Sequence, residues 1–470
     1  MVIDIHALIL PQSVRRFSNS AKKRIIQQTL IKFILLLVTT AVFGFIYYSF
    51  YSRNLYTPFY RRGDYVVIAL FFMLYAVFSK LYGGFNLTVS RASELVYSLI
   101  ITDILTHFFM YLILWLLIRY VPNVLPLLLC LVCCILISSI WAAIAVRITN
   151  RVLPPYRTLL IFDNKKARLK GEQIIRNISW RFSLCGEIDA SGRVDTVLAE
   201  IRRQKPTAVL ICGVPSTARN DILKYCIEKD ILAYLRPNIG DFIMNGARSI
   251  QLSNLPVMLC QRSSPSLFYS VGKRAFDIVL GILGVILLSP IMLITAISIK
   301  LYDHGPVLYR QERLTKNRRT FFIYKFRSMR VDAEKDGVAR LASKDDSRIT
   351  PVGKVIRFCR FDELPQLLNI IGGSMSIVGP RPERPEIARL YEESIPEFSL
   401  RLQVKAGLTG YAQVYGRYNT SPYDKLQMDL YYISNQSFAT DLKIIFATIK
   451  VLFMPESTSG VEKGEKTALK

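Results

Sequence analysis

Two adjacent carboxylates, Asp362 and Glu363, stand among arginines in a strongly basic part of the chain. Arg357 comes shortly before them, and Arg381 follows within the run Gly379-Pro380-Arg381-Pro382. Guanidinium groups bind phosphate oxygens in bidentate geometry, and an ionised aspartate can act as a nucleophile on phosphorus. The pattern therefore indicates phosphoryl chemistry on an anionic substrate, with Mg²⁺ neutralising a diphosphate.

The same two acids have a purely structural interpretation. The stretch from Phe361 to Ile371 shows apolar residues at helical spacing, and Gly372-Gly373 would end such a helix. Asp362 could then be the N-cap of that helix, with Pro365 in its first turn, and would need no further function. Spacing alone leaves both interpretations open.

Composition points to a membrane and to an anionic partner. The chain has 470 residues, of which 51% are hydrophobic, and its mean hydropathy of +0.29 is too high for a wholly soluble protein. Its formal charge of +26 implies anionic partners. Anionic phospholipid and a phosphorylated substrate are expected. Nucleic acid is not, because no recognition motif accompanies the charge.

Four apolar segments near the N-terminus each reach or approach the roughly 20 residues that span a bilayer. Basic residues crowd before the first segment and after the fourth, so both flanks are predicted to be cytoplasmic, as an even number of spans requires. Residues 1–150 are therefore predicted to form a four-helix transmembrane bundle. The segments are Ile31 to Phe50, Tyr65 to Leu81, Leu95 to Tyr120 and Val124 to Val146.

Polar and sulfur-bearing residues within these segments are weak evidence for a functional site. Asp103 and His107 lie one helical turn apart, and such a pair either marks function or joins neighbouring helices. Cys130, Cys133 and Cys134 contain a Cys-x-x-Cys spacing, but inside an apolar run we interpret them as packing residues. With three histidines in the chain, neither a zinc site nor a histidine-based triad is expected.

Residues 151–264 alternate short β-rich runs with amphipathic stretches, which predicts a small Rossmann-like α/β domain with a parallel sheet. A dinucleotide site needs glycines directly after the first strand. Here that turn reads Phe162-Asp163-Asn164-Lys165-Lys166, which favours a structural, regulatory or oligomerisation role. The predicted strands are Thr158 to Phe162, Phe182 to Ile188, Ala208 to Gly213 and Leu232 to Arg236.

An uncharged stretch from Ile278 to Ile299 is long enough for a fifth span. Both of its flanks are basic, however, and a fifth span would put one of them outside, against the positive-inside rule. Ser289-Pro290 lies in the middle, where proline removes a backbone hydrogen bond and kinks a helix. We therefore predict a re-entrant helix-break-helix over residues 274–300 that enters and leaves on the cytoplasmic face. A kinked spanning helix is the alternative.

Residues 265–455 form a third predicted domain. Within it, Asp441 to Phe453 is amphipathic, which suits either a helix lying in the membrane interface or one packed on the core. The last residues, 456–470, are polar and are predicted to be disordered.

Several short motifs of this third domain occur in one order: Lys273-Arg274-Ala275-Phe276-Asp277, Ser289-Pro290, Tyr324-Lys325-Phe326-Arg327-Ser328-Met329, Asp362-Glu363-Leu364-Pro365-Gln366, Ser374-Met375-Ser376-Ile377-Val378-Gly379-Pro380-Arg381-Pro382 and Gly407-Leu408-Thr409-Gly410. Together they resemble the bacterial polyprenyl-phosphate hexose-1-phosphate transferases, the monotopic phosphoglycosyl transferases. The resemblance covers roughly Lys273 to Pro455. By architecture alone, the preceding spans and α/β domain resemble the large members that initiate capsule, exopolysaccharide or O-antigen synthesis.

This resemblance implies a two-step reaction in which Asp362 attacks the sugar-bearing phosphate of a UDP-sugar, releases UMP and carries a covalent phosphosugar. Undecaprenyl phosphate, or another polyprenyl phosphate, would then accept the sugar phosphate. Glu363 would support the nucleophile, bind metal or manage protons, and Mg²⁺ would be held by Asp362 and Glu363. By motif position, the residues expected to bind the substrate are Lys325, Arg357, Arg381 and Asp441.

The expected setting is the bacterial inner membrane, with the catalytic domain on its cytoplasmic face and a homodimer as an open possibility. Two other functions compete with this one. A membrane-anchored nucleotide-sugar dehydratase would need a glycine fingerprint and a Tyr-x-x-x-Lys pair, and Tyr324-Lys325 lacks that spacing. A non-catalytic scaffold that recruits sugar-assembly enzymes would not need an intact acid pair or the Gly-Pro-Arg-Pro run.

Overall fold

The computed structural model describes residues 12–57, 59, 62–87, 92–152, 154–263, 265–331, 346, 348–416 and 420–452, with the backbone alone at 12–25, 27 and 152. Its contacts divide the chain into two compact units, Met1–Pro237 and Asn238–Lys470. The predicted mixture of helices and sheets is confirmed. The predicted domain bounds at residues 150, 264 and 455 stay predictions, and the predicted tail, 456–470, lies outside the described residues.

Four long apolar helices open the first unit: α1 (Gln12–Phe50), α2 (Gly63–Tyr82), α3 (Ala92–Ile118) and α4 (Leu125–Val152). They match the four predicted segments to within a few residues at most ends. Helices α1 and α3 each pack against α2 and α4, around a shared core of buried aromatic and aliphatic side chains. Within the described residues, five helices are long and apolar enough to cross a membrane, these four and one in the second unit. A transmembrane bundle stays a prediction.

The α/β part of the first unit has a sheet with strand order β2-β1-β3-β4, and all of its pairs are parallel, as predicted. The turn after β1 contains Asn164 and no glycine. The Asn164 side chain accepts a hydrogen bond from the Ala167 N–H at 2.9 Å and caps the next helix. The elements are β1 (Tyr156–Phe162), α5 (Lys165–Asn177), β2 (Phe182–Asp189), α6 (Val194–Gln204), β3 (Ala208–Cys212), α7 (Ser216–Glu228) and β4 (Leu232–Arg236).

The second unit begins with α8 (Ile239–Asn245), the β5–β6 hairpin (Arg248–Leu252 and Leu255–Leu259) and the long helix α9 (Leu267–Asp303). The elements that follow are the β7–β8 hairpin (Leu308–Leu314 and Thr320–Phe326), α10 (Pro351–Phe358), α11 (Gln366–Ile371), β9 (Met375–Val378), α12 (Pro385–Ser394), β10 (Ala406–Thr409), α13 (Tyr411–Tyr415), α14 (Pro422–Ser434) and α15 (Phe438–Leu452). Strands β9 and β10 pair in parallel.

Helix α9 runs without interruption through Ser289 and Pro290, so the predicted break is absent from its backbone. Proline cannot donate to the carbonyl four residues earlier, which belongs to Ile286. The Ser289 hydroxyl donates to that same carbonyl at 2.8 Å. Because the hydroxyl replaces the missing backbone donor, the helix continues with its polar groups satisfied. A re-entrant course of this helix stays a prediction.

Both ends of α9 are bound to the rest of the second unit. Near its start, Arg274 donates to the last two carbonyls of α11 at 2.7 Å each, and Asp277 accepts from a hydroxyl and a backbone N–H of β9 at 3.1 and 3.0 Å. At its end, Asp303 pairs with Arg327, which directly follows β8. The motif that begins at Lys273 therefore anchors the helix.

Helix α15 contains the predicted amphipathic segment. Asp441, Ile444 and Ala447 recur at helical spacing and are all buried, and Ile444 packs in the core formed with α12 and α14. Of the two interpretations of this segment, packing on the core is the one that these contacts favour.

Candidate active site

The two carboxylates lie in a short 3₁₀ turn, Phe361–Glu363, between α10 and α11. The predicted helix from Asp362 onward is thus a 3₁₀ turn followed by α11, which ends at Ile371 with Gly372 as its C-cap and Gly373 at a φ of 86°. Neither the turn nor α11 has a side-chain cap. Asp362 is therefore not an N-cap, which removes the structural explanation for this residue.

Glu363 holds two cations on a single oxygen. Its Oε1 accepts from Lys325 Nζ at 3.2 Å and from Arg381 Nη2 at 3.1 Å. Burial alone would raise the pKa of Glu363, but the positive charges of Arg381 and Lys325 outweigh it and hold that pKa well below its usual range. The two cations therefore favour the ionised form of Glu363, and its Oε1 holds both of them in place.

Asp362 is half-buried beside this group. Among the described residues, its carboxylate has no hydrogen bond and no ion pair within 4.0 Å. Burial and the negative charge of Glu363 raise the pKa of Asp362, while Lys325, Arg357 and Arg381 oppose that rise. An unpaired carboxylate surrounded by cations is equipped to attack an anionic electrophile.

Asn369 fixes the strand that carries Lys325. Its side-chain oxygen accepts from the Tyr324 N–H at 3.0 Å, and its side-chain nitrogen donates to the Phe322 carbonyl at 2.9 Å. These two bonds join α11 to β8, so the residue after Tyr324 faces the turn that precedes α11. The Lys325–Glu363 contact follows from this arrangement.

The position of Arg381 is set by contacts that fix the backbone around it. Strands β9 and β10 continue into a close approach of Gly379 and Gly407, where a Cβ on Gly407 would lie 2.1 Å from the Gly379 nitrogen. Arg401 then donates to the Arg381 carbonyl at 2.9 Å, and it is itself held by Asp429 at 2.8 Å. The Arg381 side chain stays 46% exposed, which leaves it accessible to a ligand.

A cleft opens beside these residues. Its lining includes Arg313, which the sequence analysis did not identify. Arg313 Nη1 donates to the Pro382 carbonyl at 3.1 Å. Burial lowers its pKa to about 10, so it adds another cation near neutral pH. Nothing in its local sequence distinguishes it from the chain's many other basic residues. The cleft is lined by Arg313, Ile323, Lys325, Glu363, Gln366, Arg381, Pro382, Gly407 and Leu408.

The structure thus brings together Asp362, Glu363, Lys325 and Arg381, with Arg357 close enough to act on Asp362 electrostatically. Asp441 has other partners. Its oxygens accept from Lys273 Nζ at 2.7 Å and from the hydroxyls of Tyr269 and Tyr432 at 2.8 Å each. This buried cluster ties α15 to α9. A direct role of Asp441 in substrate binding stays a prediction.

The acid pair offers a suitable donor set for Mg²⁺. Both contacts of Glu363 use Oε1, which leaves Oε2 and the unpaired Asp362 carboxylate as hard oxygen ligands. Mg²⁺ is commonly held by one or two carboxylates together with substrate phosphates and water. The residues present therefore fit this ion.

Comparison with known proteins identifies relatives of this chain. Residues 268–455 match the family described as "Bacterial sugar transferase". The chain is 43% identical over 188 residues to the exopolysaccharide production protein PSS of Rhizobium leguminosarum bv. phaseoli, which covers 92% of that protein and 38% of this chain.

Two further relatives carry more specific names. One, from Aeromonas hydrophila, is a UDP-N-acetylgalactosamine-undecaprenyl-phosphate N-acetylgalactosaminephosphotransferase, 44% identical over 40% of this chain and 45% of its own length. The other, from Komagataeibacter xylinus, is an undecaprenyl-phosphate glucose phosphotransferase, 33% identical over 63% of this chain and 58% of its own length. The chain spans about half the length of these two relatives.

Replacing Asn369 with alanine tests how the site is positioned. Asn369→Ala leaves a backbone donor and a backbone acceptor without partners, and we expect a loss of about 1–3 kcal/mol in the free energy of unfolding. The measurement is the thermal unfolding midpoint of the purified protein in detergent. Asn435→Ala, which removes one exposed bond to the Tyr431 carbonyl, is the matched control and should change stability by less than about 0.5 kcal/mol. Equal midpoints for the two variants would contradict the role given to Asn369.

Proposed function

Because the chain belongs to the bacterial sugar transferase family, we propose that it transfers a hexose 1-phosphate from a UDP-sugar to undecaprenyl phosphate. The observation that carries this proposal is that the two acids differ in their partners. Glu363 holds Lys325 and Arg381, while Asp362 is left unpaired beside them. The reaction would be an early membrane step in the synthesis of exopolysaccharide, capsule or O-antigen.

The names of the relatives support the acceptor and the type of group transferred. The proteins from Aeromonas and Komagataeibacter are both named for undecaprenyl phosphate and a sugar phosphate. Their sugars differ, N-acetylgalactosamine in one and glucose in the other. The proposal therefore extends to a UDP-hexose and leaves the choice of hexose to experiment.

In the proposed first step, an Asp362 carboxylate oxygen attacks the sugar-bearing β-phosphorus of the UDP-sugar. The bond from that phosphorus to the bridging oxygen breaks, and UMP leaves with the electron pair. A hexose 1-phosphate remains on Asp362 as an acyl phosphate. Lys325, Arg381 and Arg313 line the cleft next to this residue, and their charges would stabilise the negative charge that builds on the phosphate oxygens.

In the proposed second step, a phosphate oxygen of undecaprenyl phosphate attacks the same phosphorus. The bond to the Asp362 oxygen breaks, the carboxylate is restored, and the lipid carries a diphosphate linked to the sugar. Neither step requires a net proton transfer when the phosphates are ionised. Glu363 accordingly needs to remain charged, and the low pKa that Lys325 and Arg381 impose on it favours that state.

Mg²⁺ held by Asp362 and Glu363 would, when bound, neutralise part of the diphosphate charge. Glu363 serves this site in two ways, because Oε1 fixes the cations and Oε2 remains for a metal. The flanking cations limit the repulsion between the two carboxylates, so that both can be ionised together.

We also propose that α9 bends at Pro290 and so enters and leaves the membrane on one face, which would be cytoplasmic at the bacterial inner membrane. Polar contacts at both ends of α9 bind it to strands and helices of the same compact unit. Its middle is apolar, with Ile286, Leu287, Leu293 and Ile294 each between 61% and 66% exposed. An apolar segment held at both ends would dip into the bilayer, while basic flanks contact anionic phospholipid.

The transfer assay tests the role of Asp362. Membranes are incubated with UDP-glucose or UDP-N-acetylgalactosamine labelled in the β-phosphate, together with Mg²⁺ and undecaprenyl phosphate. We expect label in the lipid fraction, and we expect Asp362→Asn to abolish it because an amide is not a nucleophile for this step. Asp221→Asn on the exposed face of α7 is the control and should retain full transfer. Undiminished transfer by Asp362→Asn would remove Asp362 as nucleophile, and no label with any common UDP-hexose would overturn the proposed activity.

The pH dependence tests the coupling between the two acids. Since Asp362 must be ionised to attack, UMP release should fall as the pH drops through its raised pKa, above the ordinary aspartate value of about 3.9. Glu363→Gln removes the neighbouring anion and frees two cations. Both changes lower the pKa of Asp362, so the acid limb of the profile should move to lower pH while the maximal rate falls.

The same profile is measured for Glu312→Gln, which changes an exposed acid of β7 and should leave the acid limb in place. An acid limb that stays unmoved or rises in Glu363→Gln would show that Glu363 does not control the charge of Asp362.

A further inference from the structure

A histidine and two cysteines converge in the core of the first unit. His107 on α3 and Cys130 and Cys134 on α4 are all buried, with 3%, 0% and 0% of their surface exposed. The possible ligand atoms of the three side chains lie within 4.8 Å of one another. The proposed transferase reaction uses none of them.

The hydrogen bonding of His107 fixes which ring nitrogen is available. Its Nδ1 lies 2.8 Å from the Asp103 carbonyl oxygen. A carbonyl can only accept, so Nδ1 carries the proton, and the neutral ring presents a lone pair at Nε2. Among the described residues, this buried nitrogen accepts no well-formed hydrogen bond, although the Cys130 side chain interacts with the ring. Histidines that bind metals are typically oriented in this way, with the second nitrogen bonded to a carbonyl or carboxylate.

The two cysteines complete a set of soft ligands. Cys130 and Cys134 are four residues apart and share one face of α4, one helical turn from each other. Two thiolates and one imidazole form three quarters of a common tetrahedral zinc site. In such a site, Zn–S and Zn–N bonds of about 2.0–2.3 Å place the ligand atoms roughly 3.3–3.8 Å apart, which small rotamer changes would achieve here.

A fourth donor is available on α3. Asp103, one turn before His107, accepts a bond from the Ser138 hydroxyl at 2.8 Å through Oδ2. Its Oδ1 is buried beside the Tyr75 hydroxyl, which interacts with the same carboxylate. Unsatisfied buried polar atoms are costly, and the buried Nε2 of His107 beside two thiols suggests an occupant that these three side chains can bind.

We propose that His107, Cys130 and Cys134 bind one thiophilic metal ion, with Zn²⁺ as the representative, and that the ion joins α3 to α4. The competing arrangement is a thiol that donates to His107 Nε2 without any metal. In that arrangement Cys134 would bond to Cys130 and Cys130 to the imidazole, and the metal content of the protein distinguishes the two. Cys133, which completes the Cys-x-x-Cys spacing in the sequence, is not part of the cluster and is only half-buried.

Metal analysis of the purified, untagged full-length protein in detergent tests the proposal. After equilibration with Zn²⁺ and removal of free ion, we expect one zinc per chain by mass spectrometry of the elements. Cys130→Ser and Cys134→Ser should reduce it to background. Cys133→Ser is the matched control and should keep the full amount. No zinc in the unmodified chain, or an equal loss in all three variants, would overturn the proposal.

Cobalt gives a second readout, and its deciding measurement is made on the unmodified chain. Co²⁺ in tetrahedral thiolate coordination absorbs visible light strongly, so the unmodified chain and Cys133→Ser should both become coloured on addition of Co²⁺. His107→Ala should alter or abolish these bands because one nitrogen ligand is lost. A colourless unmodified chain that retains its folded structure would favour the thiol–imidazole hydrogen bond and contradict a metal site.

Discussion

The ion pairs of Lys325 and Arg381 with one oxygen of Glu363 are the interaction on which the site depends. Two adjacent carboxylates would repel each other, and one would take up a proton in a half-buried position. Because the cations stay with Glu363, that residue remains ionised and its neighbour stays unpaired. Three features hold this arrangement in place. They are the Asn369 side chain on α11, the close approach of Gly379 and Gly407, and the Arg401 side chain bonded to the Arg381 carbonyl.

Helix α9 links this chemistry to a membrane. Arg274 and Asp277 bind α11 and β9, the two elements that follow the acid pair in sequence, and Asp303 binds the residue after β8. The same helix that exposes apolar side chains therefore contacts the elements that position Glu363 and Lys325. In the proposed reaction, a lipid phosphate at the membrane surface and a soluble nucleotide sugar would meet at this point.

Much of the site could be predicted from the sequence, because its residues fall within short motifs whose order is distinctive. Asp362, Glu363, Lys325 and Arg381 do lie together. Asn369 and Arg313 could not be identified in that way, since their roles depend on contacts with distant strands. The backbone stays helical through Ser289-Pro290, where a hydroxyl donates to the carbonyl that proline leaves without an amide donor. For the cysteines, linear spacing paired Cys130 with Cys133, whereas helical geometry and α3 place Cys134 and His107 beside Cys130.

The central claim is that Asp362 carries the sugar phosphate between donor and acceptor. The most direct measurement is peptide mass spectrometry of the purified protein after brief incubation with a UDP-hexose, without undecaprenyl phosphate, and a rapid acid quench. The account predicts a hexose-phosphate adduct on Asp362 that disappears when undecaprenyl phosphate is added before the quench. An adduct on Glu363 or elsewhere, or lipid product formed with no adduct in a single turnover, would contradict it.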